Sequence, residues 1–181
     1  MTSQASTKRG RRRRRAKQRS QRSTERFHKA LGEFLTEMGR VEFTMLLYVD
    51  VINDAPIEHL FDEYSRLTFG PKVDWFKKWV EFAGAPSERR TIVDRLYENL
   101  AALRSKRNFL VHGETWQGAF GGPRQPYRVG VVRYNLEYLD EFDRGEHGDN
   151  VFSLSEVNEV TALCRSTVAD LNFLRGQELP D

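Results

Sequence analysis

Arg107, Asn108 and His112 fall in one short stretch, Arg104-Ser105-Lys106-Arg107-Asn108-Phe109-Leu110-Val111-His112-Gly113. A guanidinium presents a planar fork of donors that suits a carboxylate or a phosphate. An imidazole is the side chain that exchanges protons near neutral pH. A carboxamide both donates and accepts, so it can orient an imidazole or hold an anion. Together these types are suited to binding an anionic group and moving a proton beside it. Arg104, one turn before Arg107, adds a supporting cation.

Other chemistries find less in the chain. His28, His59 and His147, with His112, show no His/Cys/carboxylate spacing of a metal site, and no metal or cofactor is expected. No Gly-x-Ser-x-Gly or Cys–His signature occurs. Gly118-Ala119-Phe120-Gly121-Gly122-Pro123 is not a phosphate loop, because no Lys-Ser or Lys-Thr follows it and no helix begins there. Asp140, Glu141, Asp143, Glu146 and Asp149 lack the spacing of a calcium loop and read as a solvated acidic segment.

The element that positions the three residues is a long helix predicted from about Pro86 to His112. Leu96, Leu100, Leu103 and Leu110 mark its apolar face, and Gly113 supplies the residue type that ends helices. On a wheel of about 100° per residue, Leu96, Leu100 and Leu103 lie within about 40° of Arg107. Arg107 therefore sits in the apolar stripe, where a cation needs an anionic partner or a cleft. Asn108 and His112, four apart, share its flank.

A first long helix is predicted from Ser23, with Leu31, Leu35, Met38, Met45 and Val49 on its apolar face. Glu42 falls about 20° from Leu31 on the same wheel. Glu42 and Arg107 are the two charges centred in strong apolar stripes, which makes them natural partners for each other. In that arrangement Arg107 is structural, and His112 caps the end of its helix, where the dipole favours a cation. Gly32 and Gly39 suggest close approach of a neighbouring helix.

Pro56 to Leu67 forms a second helix, with Ile57, Leu60, Phe61 and Tyr64 on one face. After a break at Phe69-Gly70-Pro71, Pro71 to Phe82 forms a third, carrying Val73, Trp75, Phe76, Trp79 and Val80 as core or as half of a dimer surface. Glu114–Phe120 and Tyr127–Leu136 read as a hairpin with a glycine-rich tip. Ser153 and Glu156 form a capping box for a last helix, whose face is Val157, Val160, Cys164, Val168, Leu171 and Leu174 and which Gly176 ends. The predicted fold is all-α: a bundle of about five helices with a small β-hairpin between the fourth and fifth.

At 181 residues one compact domain is expected. The net charge of +3 conceals two unlike parts. Residues 1–22 carry Lys8, Arg9, Arg11, Arg12, Arg13, Arg14, Arg15, Lys17, Arg19 and Arg22 and no acid; of 29 basic residues that leaves 19 against 26 acidic, a net of −7. This segment is expected to be a disordered arm that either neutralises nucleic-acid phosphates or serves as a solubilising or localisation tail. Residues 23–176 form the helical domain and 177–181 a short tail. The arm is rich in Arg and Ser, as organellar transit peptides are, but the unbroken Arg11–Arg15 block does not suit an amphipathic helix. No apolar run approaches the roughly 20 residues of a membrane span, and no apolar segment of an export signal follows the arginines. The lone Cys164 fits a reducing, cytoplasmic setting.

The motif Arg107-Asn108-x-x-x-His112, at a helix end and followed by glycine, resembles that of the HEPN (higher eukaryotes and prokaryotes nucleotide-binding) superfamily. The resemblance spans roughly residues 25–175, with its specificity in the motif. It implies a helical bundle and a metal-independent endoribonuclease acting as a homodimer, in some members within bacterial defence or toxin systems. In the implied reaction the RNA 2′-oxygen attacks its own phosphate, His112 is the general acid or base, Arg107 holds the phosphate and Asn108 orients the imidazole. One histidine per chain means that a two-histidine mechanism draws the second from another copy. Members paired with nucleotidyltransferase antitoxins carry tyrosine two places after the histidine; Glu114 stands here, so that pairing is not implied. Some members have lost catalysis, so a non-catalytic RNA-binding module is the alternative. A helical protein-interaction domain with a nucleic-acid-tethering arm is a third.

Overall fold

The computed structural model describes residues 3–53, 56–84, 89–112, 114–119, 127–132 and 151–178. Among these are five helices: α1 (Ser3–Ile52), α2 (Ile57–Ser65), α3 (Phe69–Ala83), α4 (Arg90–His112) and α5 (Leu154–Glu178). Between α4 and α5 come β1 (Glu114–Ala119), β2 (Tyr127–Val132) and β3 (Val151–Ser153). The fold is the expected all-α helical bundle, with a small antiparallel insert in the order β1-β2-β3.

The main departure lies at the N-terminus. Residues 3–22 are helical and continuous with the rest of α1, where a disordered arm was expected. Lys, Arg, Gln and Ala are good helix formers, and no proline interrupts the run from Ser3 to Ile52. Once the packed part of α1 is helical, each added residue gains a backbone bond without a new nucleation cost.

By internal packing the chain divides into two units, Glu33–Asn108 with Asn158–Asp181, and Met1–Gly32 with Phe109–Val157. The first holds most of the core. Phe34, Met45, Phe76, Leu100, Leu103 and Leu171 are fully buried there. On α5, Val160, Cys164, Val168, Leu171 and Leu174 are buried as their spacing predicted. Cys164 is a core thiol, with Sγ 3.5 Å from Met38 Sδ. Burial pushes it up to about 12. Native protein should therefore resist alkylation by iodoacetamide near pH 8 and react fully once unfolded, because the thiolate is the nucleophile. The same shift has a sign for stability. Above about pH 9 the unfolded thiol ionises while the folded one keeps its proton, so Cys164 lowers stability progressively up to about pH 12.

The α1 face is rotated from expectation. Phe34 and Val41 are buried with Met38, Met45 and Val49, whereas Leu35 is 54% exposed and Leu31 half-buried. Among the described residues, no heavy atom outside their own helical turns lies within 4 Å of where a Cβ would stand on Gly32 or Gly39, so the expected close approach of a helix is not seen there. On α2 only Leu60 and Tyr64 of the predicted face are buried; Ile57 and Phe61 are exposed. Helix α3 begins at Phe69, not after a break at Gly70-Pro71. Pro71 falls in its first turn, where the missing N–H has no intrahelical acceptor. Trp75 is buried and packs at a tilt against Tyr64, centroids 4.9 Å apart, while Trp79 is half-buried and Phe82 exposed. Gly84, with φ 73°, ends the helix in a conformation that glycine adopts readily.

In the second unit, β1 and β2 pair with Glu114 opposite Val132 and Ala119 opposite Tyr127, as a hairpin requires. Gly113, residues 120–126 of the expected glycine-rich tip, residues 133–136 of the expected second strand and the acidic segment lie outside the described residues. β3 was not anticipated. It pairs with β2 and leads directly into α5. There the capping box forms: Ser153 Oγ accepts from the Glu156 N–H at 3.3 Å, and Glu156 Oε2 accepts from the Ser153 N–H at 2.6 Å. Ser153→Ala should cost about 1 kcal/mol in urea unfolding. Helix α5 continues to Glu178, past the expected stop at Gly176.

Candidate functional site

Helix α4 carries Arg107, Asn108 and His112 without interruption to its last residue. Leu96, Leu100 and Leu103 are fully buried, so the predicted apolar stripe faces the core. Within the second unit, Leu110 is 6% exposed and Phe109 packs at a tilt against Phe152, centroids 4.8 Å apart. These two contacts anchor the last turn and leave Val111 and His112 exposed. Asn108 is exposed and Arg107 half-buried. Asn108 and His112 therefore share one face, one turn apart, while Arg107 lies about 140° around the axis from His112.

The expected Glu42–Arg107 pair does not form. Glu42 Oε2 instead takes Lys72 Nζ of α3 at 2.5 Å. Lys72 also lies over the Tyr64 ring, 4.8 Å from its centroid. The Tyr64 hydroxyl donates to the Glu42 carbonyl at 2.7 Å, and burial pushes its ionisation well above the ordinary tyrosine range. A carboxylate at the edge of the buried face of α1 is thus satisfied from α3. Lysine can do this from a flank, because its apolar stem packs along the core edge while the ammonium reaches the acid. Sequence reasoning sought partners only among charges centred in stripes and so passed over Lys72.

Arg107 consequently has no hydrogen bond or ion pair among the described residues. Arg104 differs. Its Nη1 lies 3.3 Å from Asp74 Oδ1. A Cβ on Gly70 would come within 2.9 Å of its Nε, so the guanidinium lies across the small residue at the start of α3. This expected supporting cation ties α3 to α4.

Glu37 is a buried charge that the sequence reading missed. It is 8% exposed, and its carboxylate accepts from Arg40 Nη1 at 3.0 Å and Arg165 Nε at 3.1 Å. The signal was the seven-residue spacing of Phe27, Phe34 and Val41, which puts Glu37 on the buried side of α1.

The ten basic residues from Lys8 to Arg22 belong to α1. Lys17 and Arg22 are exposed, as are Arg26 and Lys29 beyond them. Among the described residues, no group of three or more His, Cys, Asp or Glu is placed to hold a metal ion, and no helix is long and apolar enough to cross a membrane. Set against protein-family models, curated proteins and solved structures, the chain matches none.

Proposed function

We propose that this chain is a HEPN-like, metal-independent endoribonuclease that works as a homodimer in a reducing, cytoplasmic setting. The observation that carries the proposal is the state of Arg107. It is a half-buried guanidinium, and the carboxylate that would have made it structural is held by Lys72 instead. A fork of donors with no acceptor among the described residues, on the same helix end as an exposed amide and an exposed imidazole, is suited to a phosphate and its neighbouring hydroxyl.

In the proposed reaction His112 takes the proton of a ribose 2′-hydroxyl, the 2′-oxygen bonds to phosphorus, and the bond to the 5′-oxygen breaks. The leaving oxygen gains a proton, the fragment behind keeps a 2′,3′-cyclic phosphate, and Arg107 holds the phosphate oxygens. Asn108, on the His112 face, orients the imidazole. Arg107 and His112 point about 140° apart on one helix. A phosphate held by Arg107 of one copy and served by His112 of another suits this arrangement, and the second histidine supplies the acid. The test is the chemistry of the ends. Purified protein incubated with RNA in EDTA should leave 2′,3′-cyclic or 3′-phosphate ends, whereas 5′-phosphate ends, or activity that EDTA removes, would refute the reaction.

A non-catalytic RNA-binding module is the second reading, and the long basic helix α1 favours it. It expects RNA to be retained and never cut.

A further inference from the structure

Because residues 3–22 are helical and continuous with the packed part of α1, the basic residues have a register along one axis. Take Lys8 as zero on a wheel of about 100° per residue. The positions from 8 to 29 that fall in an arc of roughly 100° around it are 8, 11, 12, 15, 19, 22, 26 and 29. They are occupied by Lys8, Arg11, Arg12, Arg15, Arg19, Arg22, Arg26 and Lys29: every place in the arc is basic. The fourteen remaining positions hold only Arg9, Arg13, Arg14 and Lys17 as basic residues, together with Glu25. At about 1.5 Å per residue the stripe is about 32 Å long. It ends at the buried Ala30, the next position in the arc. Within the second unit Phe27 and Ala30 are buried, while Arg22, Arg26 and Lys29 remain exposed.

We infer that this stripe is a docking surface for the phosphate rows of double-stranded RNA. The inference rests on the reading of RNA as the substrate. A flexible cationic tail follows any polyanion; basic residues placed on one face of a continuous helix match a partner whose phosphates are themselves fixed and periodic, which means a duplex rather than a single strand. The form of the duplex follows from which faces are charged. B-form DNA has a major groove wide enough to admit a helix, so basic residues on both flanks of an inserted helix would meet phosphate. The narrow major groove of A-form RNA excludes the helix and lines its mouth with phosphates of both strands. A helix lying along that mouth uses one face only, the face on which every position here is basic.

The test compares two triple substitutions that remove equal charge, in full-length protein carrying His112→Ala so that cleavage does not intervene. One removes Arg12, Arg15 and Arg19 from the stripe, each changed to Gln. The other removes Arg9, Arg13 and Lys17 from the remaining faces, also each to Gln. Affinity is measured by fluorescence anisotropy across a salt series for a short RNA duplex, for one of its strands alone and for the DNA duplex of the same sequence. The starting protein should bind the RNA duplex more tightly than either other probe. The stripe triple should lower the steepness of log K against log salt for the RNA duplex by about 2 to 3, and the off-stripe triple by less than about 1. Equal losses for the two triples, or equal or tighter binding of the single strand or the DNA duplex, would overturn the inference. Either result leaves the ribonuclease reading to its own test, because that reading concerns the ends produced at His112.

Discussion

Arg107→Ala should reduce RNA cleavage by on the order of 10²- to 10³-fold, the usual loss when a preorganised donor is removed from a transition state, and leave the fold standing. Had Glu42 been the partner of Arg107, the substitution would have stranded a carboxylate in the core edge and confounded activity with unfolding. Glu42 is held by Lys72 and lies against Tyr64, and neither contact involves Arg107. The expected stability change for Arg107→Ala is therefore about 1 kcal/mol or less. Arg107→Lys keeps the charge but loses the fork, so it should recover part of the phosphate binding and little of the rate. Paired measurements of cleavage rate and urea midpoint separate the two effects. A large drop in stability with Arg107→Ala would show that this guanidinium supports the fold instead.

Phe34→Ala and Leu35→Ala should differ by several kcal/mol although the residues are neighbours on α1. Phe34 is fully buried and Leu35 is 54% exposed. Emptying a buried phenylalanine site costs about 3 to 5 kcal/mol through lost transfer energy and the cavity left behind. Truncating an exposed leucine costs about 0.5 kcal/mol or less. For a domain of ordinary marginal stability the first change removes much of the total. Chemical unfolding at matched protein concentration decides the point, and equal losses would mean that the face of α1 is placed wrongly.

These two residues also show what the sequence can and cannot reveal. The apolar stripes of α4 and α5 were legible because several leucines and valines recur on one face and little competes with them; Leu96, Leu100, Leu103, Leu171 and Leu174 are all fully buried. On α1 two stripes compete, one through Leu31 and Leu35 and one through Phe27, Phe34 and Val41, and periodicity alone does not rank them. The capping box at Ser153 was legible because its bonds are local. The Lys72–Glu42 pair was not, because it joins residues thirty apart through a flexible side chain placed outside any stripe. The helical state of residues 3–22 was hidden by composition: a run of like charges suggests an extended chain, while the good helix propensity of the same residues acts once a packed helix follows. The three-residue strand β3 is too short to show a period. At the candidate site, the positions of Arg107, Asn108 and His112 near a helix end were legible from spacing, whereas the absence of a carboxylate on Arg107 among the described residues required the structure.

In the proposed RNA cleavage, His112 moves the proton. The most direct measurement compares wild-type and His112→Ala protein, prepared side by side to equal purity, acting on a mixed RNA pool in EDTA. His112 is exposed at the end of α4, so its replacement should leave the unfolding midpoint nearly unchanged. Loss of a general acid or base costs about 10²- to 10⁴-fold in rate. Slow cleavage by the wild-type protein and a loss of that size in the variant are expected. Equal rates of RNA degradation by the two proteins would contradict it.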